Sequence, residues 1–362
     1  MKLYACTCGN TLFFDNSQCL RCGKRVGFCP ACRRIVPLEP RPDGGLRCGW
    51  DDCATPLLRC YNYQVHDVCN WTLASDKLAP EPADLCHCCR FTQTIPDLSV
   101  SGNVRKWYRL EQDKRRLLYN LDLLGLPYGT AADNFHPPLV FDFKADVDPA
   151  DQPWQVLSDG QHECVTTGHA QGRITINIRE ADDVERERLR VDFGEAHRTL
   201  IGHFRHEIGH YYWMLLVQHQ HEAEAVRLFG DPDHPPYADA LARYYEQGPP
   251  ADWQHRFISP YASMHSWEDW AETFAAYLDM IAMLDTAHHV GFMPTWLDAD
   301  FDTLVVEYQR LGLGVNELNR GMGLLDLVPD VLVRAVVDKM RFIDRLCRQA
   351  ARQPAARPAS AR

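Results

Sequence analysis

Between residues 103 and 127 the apolar positions Trp107, Leu110, Leu117, Leu118, Leu121 and Leu124 recur every three or four residues, with Lys114 on the same stripe and Gly125 and Pro127 after it. Apolar residues at that spacing share one side of an α-helix, and Gly followed by Pro stops it. One amphipathic helix is predicted, and its run Lys114-Arg115-Arg116 is taken as a solvated face. A different period governs residues 163–179. Around the turn Gly168–Gly172 apolar and polar positions alternate, with Ile174, Ile176 and Ile178 on one side and Thr175, Asn177 and Arg179 on the other. That is the pattern of a half-buried hairpin. Residues 196–218 are Pro-free and apolar enough for a second helix. Residues 230–260 are broken by Pro and Gly around a short helical piece, 238–247. Residues 266–284 are helical again, with Ser266 and Asp269 at capping-box spacing.

No apolar run approaches the 18 residues of a membrane-spanning helix, and "MKLYACTCGN" lacks the layout of a signal peptide. The chain is therefore expected to be soluble and cytoplasmic, with no membrane partner. At 362 residues it is long enough for one large core and a smaller unit. The divisions expected are a Cys-rich region at 1–94, a main α+β domain at 95–349 opening on the linker "IPDLSVSGN", and a disordered Arg/Ala/Pro tail at 350–362.

Thirteen of the fifteen cysteines precede residue 90, and in a long chain without a secretory signal such a cluster points to metal. Cys6, Cys8, Cys19 and Cys22 form two short knuckles joined by a hairpin, which offers tetrahedral zinc four soft ligands. Cys29, Cys32, Cys48 and Cys53 repeat the arrangement around the turn "PDGG" at 42–45. A looser third set holds Cys60, Cys69 and Cys86 with part of "CHCC". A two-residue gap selects Cys86 and Cys89 and leaves Cys88 spare, the alternative being buried free thiols. Two or three structural zinc ions are thus expected, and they would hold this apolar-poor region folded. A zinc ribbon by itself binds nucleic acid, protein or nothing.

Charge narrows the partners. Of the net −11, residues 1–90 carry +2 and residues 341–362 carry +5, which leaves −18 between them. Phosphate binding needs clustered Lys and Arg, so a nucleic-acid surface on the main domain is not expected. The ribbons are left as a possible site for a protein partner.

The chemistry centres on "RHEIGH". His206 and His210 lie four apart, so on a helix their rings project from one face and can share a metal. Glu207, about 100° round the helix, can reach a metal-activated water as general base without being a ligand. Gly209 would permit the close approach of helix to sheet. A catalytic zinc usually takes three protein ligands and leaves a position open. Glu268 supplies the third, Glu272 one turn on can accept the other N–H of a ligand histidine, and Ala271 and Ala275 let that helix pack closely. Asp269 competes as a ligand but is better explained by the cap. His203 is read as a satisfied core histidine, and Tyr261 and His265 as candidate donors to an oxyanion. One catalytic zinc would join the structural ones.

These residues carry a resemblance. "GHFRHEIGHYYW", "LFGD", "YYEQGPPADW", "FISPYA" and "WEDWAETFAAYL", with "CNW", "IPDL", "KRRLLYNLDLLGLP" and "ITINIREAD" upstream, resemble the bacterial zinc-binding metallopeptidases that carry an N-terminal zinc ribbon. The likeness implies a zincin-like fold, with the active-site helix on a small sheet. A wider similarity to gluzincins, whose second motif is Glu-x-x-Ala-Asp, implies Glu268 as ligand and Glu272 as the supporting acid in place of Asp. The leading expectation is a zinc peptidase acting on peptide or protein, its substrate lying along an edge strand at 173–179. Two alternatives are a zinc-ribbon adaptor with a structural His/His site, for example one closed by His203, and a SprT-like protease acting on DNA-bound proteins.

Overall fold

The computed structural model of the protein describes residues 1–146, 165–192 and 199–352. The first residues of the expected hairpin (163–164), the start of the expected helix at 196–198 and most of the expected disordered tail (353–362) lie outside them. Helices and sheets are both present, so the α+β class holds. The chain clusters into two compact units. One comprises Lys2–Leu118 with the described residues of Tyr128–Ile201, and the other Met1, Tyr119–Pro127 and the described residues of Gly202–Ala355.

In the first unit, β1 (Tyr4–Ala5) and β2 (Thr11–Leu12) form a two-stranded ribbon. A five-stranded antiparallel meander follows, made of β3 (Val26–Cys29), β4 (Arg34–Pro40), β5 (Leu46–Cys48), β6 (Pro56–Arg59) and β7 (Thr72–Ala74), with the short helix α1 (Tyr61–Gln64) before the last strand. The "PDGG" turn joins β4 to β5, where Gly44 takes a φ of 86° that side chains resist. A second sheet has the order β10-β11-β9-β8, with β8 at Thr92–Thr94, β9 at Val140–Lys144, β10 at Gly168–Ala170 and β11 at Arg173–Asn177. The β10–β11 hairpin is the one the alternation foretold. Its second strand is not an edge: β11 runs parallel to β9, pairing Ile174 with Phe141 and Ile176 with Phe143, all four fully buried. The edge lies one strand out, at β10. Helix α3 (Asp183–Asp192) follows.

Helix α2 (Asn103–Leu124) ends where the sequence says, with Gly125 at a φ of 66° and the Leu126 N–H bonded back to the Leu121 carbonyl. Its basic run is not a solvated face. Lys114 and Arg115 are buried, and Arg116 pairs with Asp15. Burial is tolerated because Lys114 meets Glu111 at 2.8 Å and Arg115 donates to the Val68 carbonyl at 3.0 Å.

The second unit is helical. Helix α4 (Leu200–Tyr212) runs into a π-helical turn at Trp213–Val217, and α5 (Glu222–Phe229), α6 (Tyr237–Gln247), α7 (Ser266–His289), α8 (Phe301–Gly321) and α9 (Arg334–Arg352) follow. Helix α7 is central, touching α5, α8 and α9 through Trp270, Phe274, Tyr277 and Ile281 on its own side and Phe229, Phe342 and Ile343 among its partners. The expected Ser266/Asp269 capping box does not form. His265 is the cap, its Nδ1 accepting the Trp267 N–H at 3.1 Å. Asp269 turns instead to Lys339 on α9 at 2.5 Å, and because both side chains are buried the carboxylate is held by the cation that it neutralises rather than by the cap. Among the described residues no helix is long and apolar enough to cross a membrane.

Candidate metal centre

Helices α4 and α7 meet at Gly209. A Cβ there would lie 3.0 Å from the Ala271 Cα, and the Trp270 indole donates to the Gly209 carbonyl at 2.8 Å. The glycine therefore serves a helix–helix crossing, not the helix–sheet contact its position first suggests. Ala271 supplies the small partner, as its place beside Glu268 and Glu272 implies. The crossing sets the histidine face of α4 against the carboxylate face of α7.

There His206 Nε2 lies 3.0 Å and His210 Nε2 3.7 Å from Glu268 Oε2, and the three donor atoms lie within 4.8 Å of one another. His206 Nδ1 is bonded to Glu272 Oε1 at 2.7 Å. If Nδ1 carries the proton, Nε2 presents a lone pair to a carboxylate that has only lone pairs to offer. Two acceptors so placed call for a positive charge between them. Donors around zinc at ordinary Zn–N and Zn–O lengths stand roughly 3.3 Å apart, which the two distances bracket. Two imidazoles and a carboxylate also suit zinc in kind, so the residues fit the ion. Burial opposes charge on His206, yet Glu268 and Glu272 hold its pKa well above the ordinary value, and Glu268 is held low by the two rings.

Two residues that sequence patterns did not single out complete the surroundings. The Tyr237 hydroxyl donates to Glu268 Oε1 at 2.9 Å, and the Ser259 hydroxyl donates to Glu272 Oε2 at 2.6 Å. Ser259 lies in "FISPYA" and Tyr237 opens α6 after two prolines, so only its place at a helix start marks it in the sequence. Glu207 is buried, and its Oε2 has no hydrogen-bond partner among the described residues. Burial raises its pKa, while the charges of His206 and His210 pull it down. The Tyr261 ring stands 6.2 Å from that of His206, and burial together with Glu268 keeps its hydroxyl protonated. His265 is occupied elsewhere: besides its cap, Nε2 meets the Pro235 carbonyl at 3.2 Å. With both nitrogens committed to backbone, that ring has no donor to spare for an oxyanion. Asp269 and His203 are not in the metal-ligating group. His210 stacks on Trp267 at 5.0 Å and 12°, which fixes its plane.

The cysteines gather as their spacing implies. Cys6, Cys8, Cys19 and Cys22 form one group, Cys29, Cys32, Cys48 and Cys53 a second, and Cys60, Cys69, Cys86 and Cys89 a third. Sulfur–sulfur contacts in the first two groups are 3.6–3.8 Å. Bonds of about 2.3 Å to a tetrahedral zinc place sulfurs about 3.8 Å apart, whereas a disulfide needs about 2.05 Å.

Residues 103–346 match the family described as "Putative zinc-binding metallo-peptidase", and residues 3–100 match a zinc-ribbon domain. Three uncharacterised mycobacterial proteins, one from Mycobacterium bovis and two from strains of Mycobacterium tuberculosis, are each 40% identical over 355 residues, covering 95% of this chain and 94% of the relative. No solved structure matches.

Proposed function

Because the chain belongs to the zinc-binding metallo-peptidase family, we propose that His206, His210 and Glu268 hold a zinc ion at which the protein hydrolyses peptide bonds. The observation that carries this is the convergence of three donor atoms beside a buried carboxylate oxygen, on Glu207, that has no hydrogen-bond partner among the described residues. When bound, zinc supplies Lewis acidity toward water and toward a carbonyl. Glu207 takes the proton of the attacking water on its carboxylate and passes it to the leaving amine. Glu272 anchors the His206 ring through Nδ1, and Tyr237 keeps Glu268 Oε1 occupied so that Oε2 faces the histidines. Tyr261, protonated at neutral pH, donates to the oxyanion that forms at the carbonyl. Three protein ligands with no fourth among the described residues support a site open to substrate over a closed structural one. The substrate is a peptide or protein, in keeping with the −18 charge between residues 91 and 340.

Glu207→Gln tests the mechanism. The variant should retain its metal and lose hydrolysis of a mixed peptide pool by about 10²–10⁴-fold, the usual worth of a general base. Equal turnover by variant and parent would sink the assignment.

A further inference from the structure

The third cysteine group shares no residue with the proposed catalytic centre. Cys60, Cys69, Cys86 and Cys89 are each at most 2% exposed, and Cys69 Sγ lies 3.7 Å from Cys86 Sγ. That is the edge of a metal tetrahedron and far too long for a disulfide. Three backbone N–H groups point at these sulfurs: Trp71 at Cys69 and Cys86 at Cys60, both at 3.3 Å, and Cys89 at Cys86, at 3.4 Å. Such donors favour the charged form of an acceptor.

Charge supplies a second, separate observation. Lys114 and Arg115 are buried in the same unit, and a buried cation requires an anion. Lys114 has Glu111 at 2.8 Å. Arg115 gives one N–H to the Val68 carbonyl, its buried Nε has no hydrogen-bond partner, and no carboxylate forms a salt bridge with it among the described residues. The Val68 carbonyl that it meets belongs to the residue before Cys69, and the groups whose charges act on it are Cys69, Cys88, Glu111 and Cys89. With four neutral thiols the two buried cations Lys114 and Arg115 would share the single carboxylate of Glu111, which Lys114 already pairs, whereas zinc held by four thiolates carries a net charge of −2.

We propose that Cys60, Cys69, Cys86 and Cys89 bind a third structural zinc as a closed tetrathiolate whose counter-charge is Arg115 on α2, with the Lys114–Glu111 pair beside it. The ligands come from the region matched by the zinc ribbon and the cation from the region matched by the peptidase family, so the site spans the two matches within one compact unit. Cys88 is buried but outside the group.

The test uses the full chain, first treated with a chelator to empty the His206/His210/Glu268 site, so that success or failure of the catalytic assignment does not enter. Native mass spectrometry should then count three zinc ions per chain, and a count of two overturns the proposal. In the same protein, titration with a mercurial thiol reagent should release zinc in steps. The group containing the exposed Cys22 should empty before the fully buried one, and two zinc equivalents in total would again overturn it. For the counter-charge, Arg115→Met should lose the third zinc at a chelator concentration at least tenfold below that required by the parent, with the first two retained. Arg115→Lys should keep all three, and Arg116→Met on the same helix serves as control. Parent-like retention in Arg115→Met, or equal loss in Arg116→Met, refutes the role of Arg115.

Discussion

Glu272 shows how a single side chain decides the state of a neighbour. Its Oε1 takes the His206 Nδ1 position at 2.7 Å, and its Oε2 is in turn held by Ser259 at 2.6 Å. The bond fixes which nitrogen of His206 is free to face Glu268. It also makes the imidazole a better donor. The glutamate side chain is long enough to reach the ring from one turn beyond Glu268. Glu272→Ala should therefore weaken zinc binding by about 10–100-fold, the usual effect of losing such a support. Competition against a chromophoric chelator measures it. Ser259→Ala, which removes only the bond behind Glu272, should cost less. Unchanged affinity in Glu272→Ala would mean that His206 is oriented by packing alone.

At the scale of elements, the crossing of α4 and α7 depends on Gly209. With its missing Cβ only 3.0 Å from the Ala271 Cα, a larger residue must push the helices apart, because backbone cannot move aside as a side-chain tip can. Gly209→Val should lower stability by about 1–3 kcal/mol through overpacking. It should also weaken zinc binding, since His206 and His210 sit on one helix and Glu268 on the other. A thermal melt together with a metal-affinity measurement checks both. A loss of stability with unaltered affinity would show that the site tolerates movement of the helices. The crossing was legible in part: a glycine within the His/His motif and alanines beside Glu268 mark close approach, though not which element approaches. What sequence missed follows one rule. The ends of α2, the β10–β11 hairpin, the short α6 and the cysteine groups were readable because their signals are local. The central place of β11 depends on β9, more than thirty residues away in the chain. The burial of Lys114 and Arg115 depends on Glu111 and Val68, and the loss of the Asp269 cap on Lys339. Partners of that kind leave no periodic trace.

Across the whole molecule two kinds of metal site are expected to respond differently to removal. Each sulfur group offers four protein donors, enough to fill a tetrahedron, whereas the centre on α4 and α7 offers three among the described residues. A chelator that can enter the open position should therefore strip the second kind first. Its loss costs a binding contribution of about 4 kcal/mol when the metal stood at 1,000 times its dissociation constant. Helices α5 to α9 retain a core built on Trp270, Phe274 and Phe342 and should keep their amide protection. The sulfur sites have more to hold. Strands of two to seven residues make up β1 to β7, too little buried surface to stand without cross-links, and structural zinc contributes about 10–16 kcal/mol in small sites. After mild chelation, hydrogen exchange should show protection intact in β3 to β7 and one zinc lost. After treatment with a mercurial thiol reagent, protection in those strands should collapse while that of α7 and α9 persists. Retention of β3 to β7 protection in protein stripped of all its thiolate metal would show that the ribbons fold on apolar contacts such as Phe14, Phe28 and Trp71 alone.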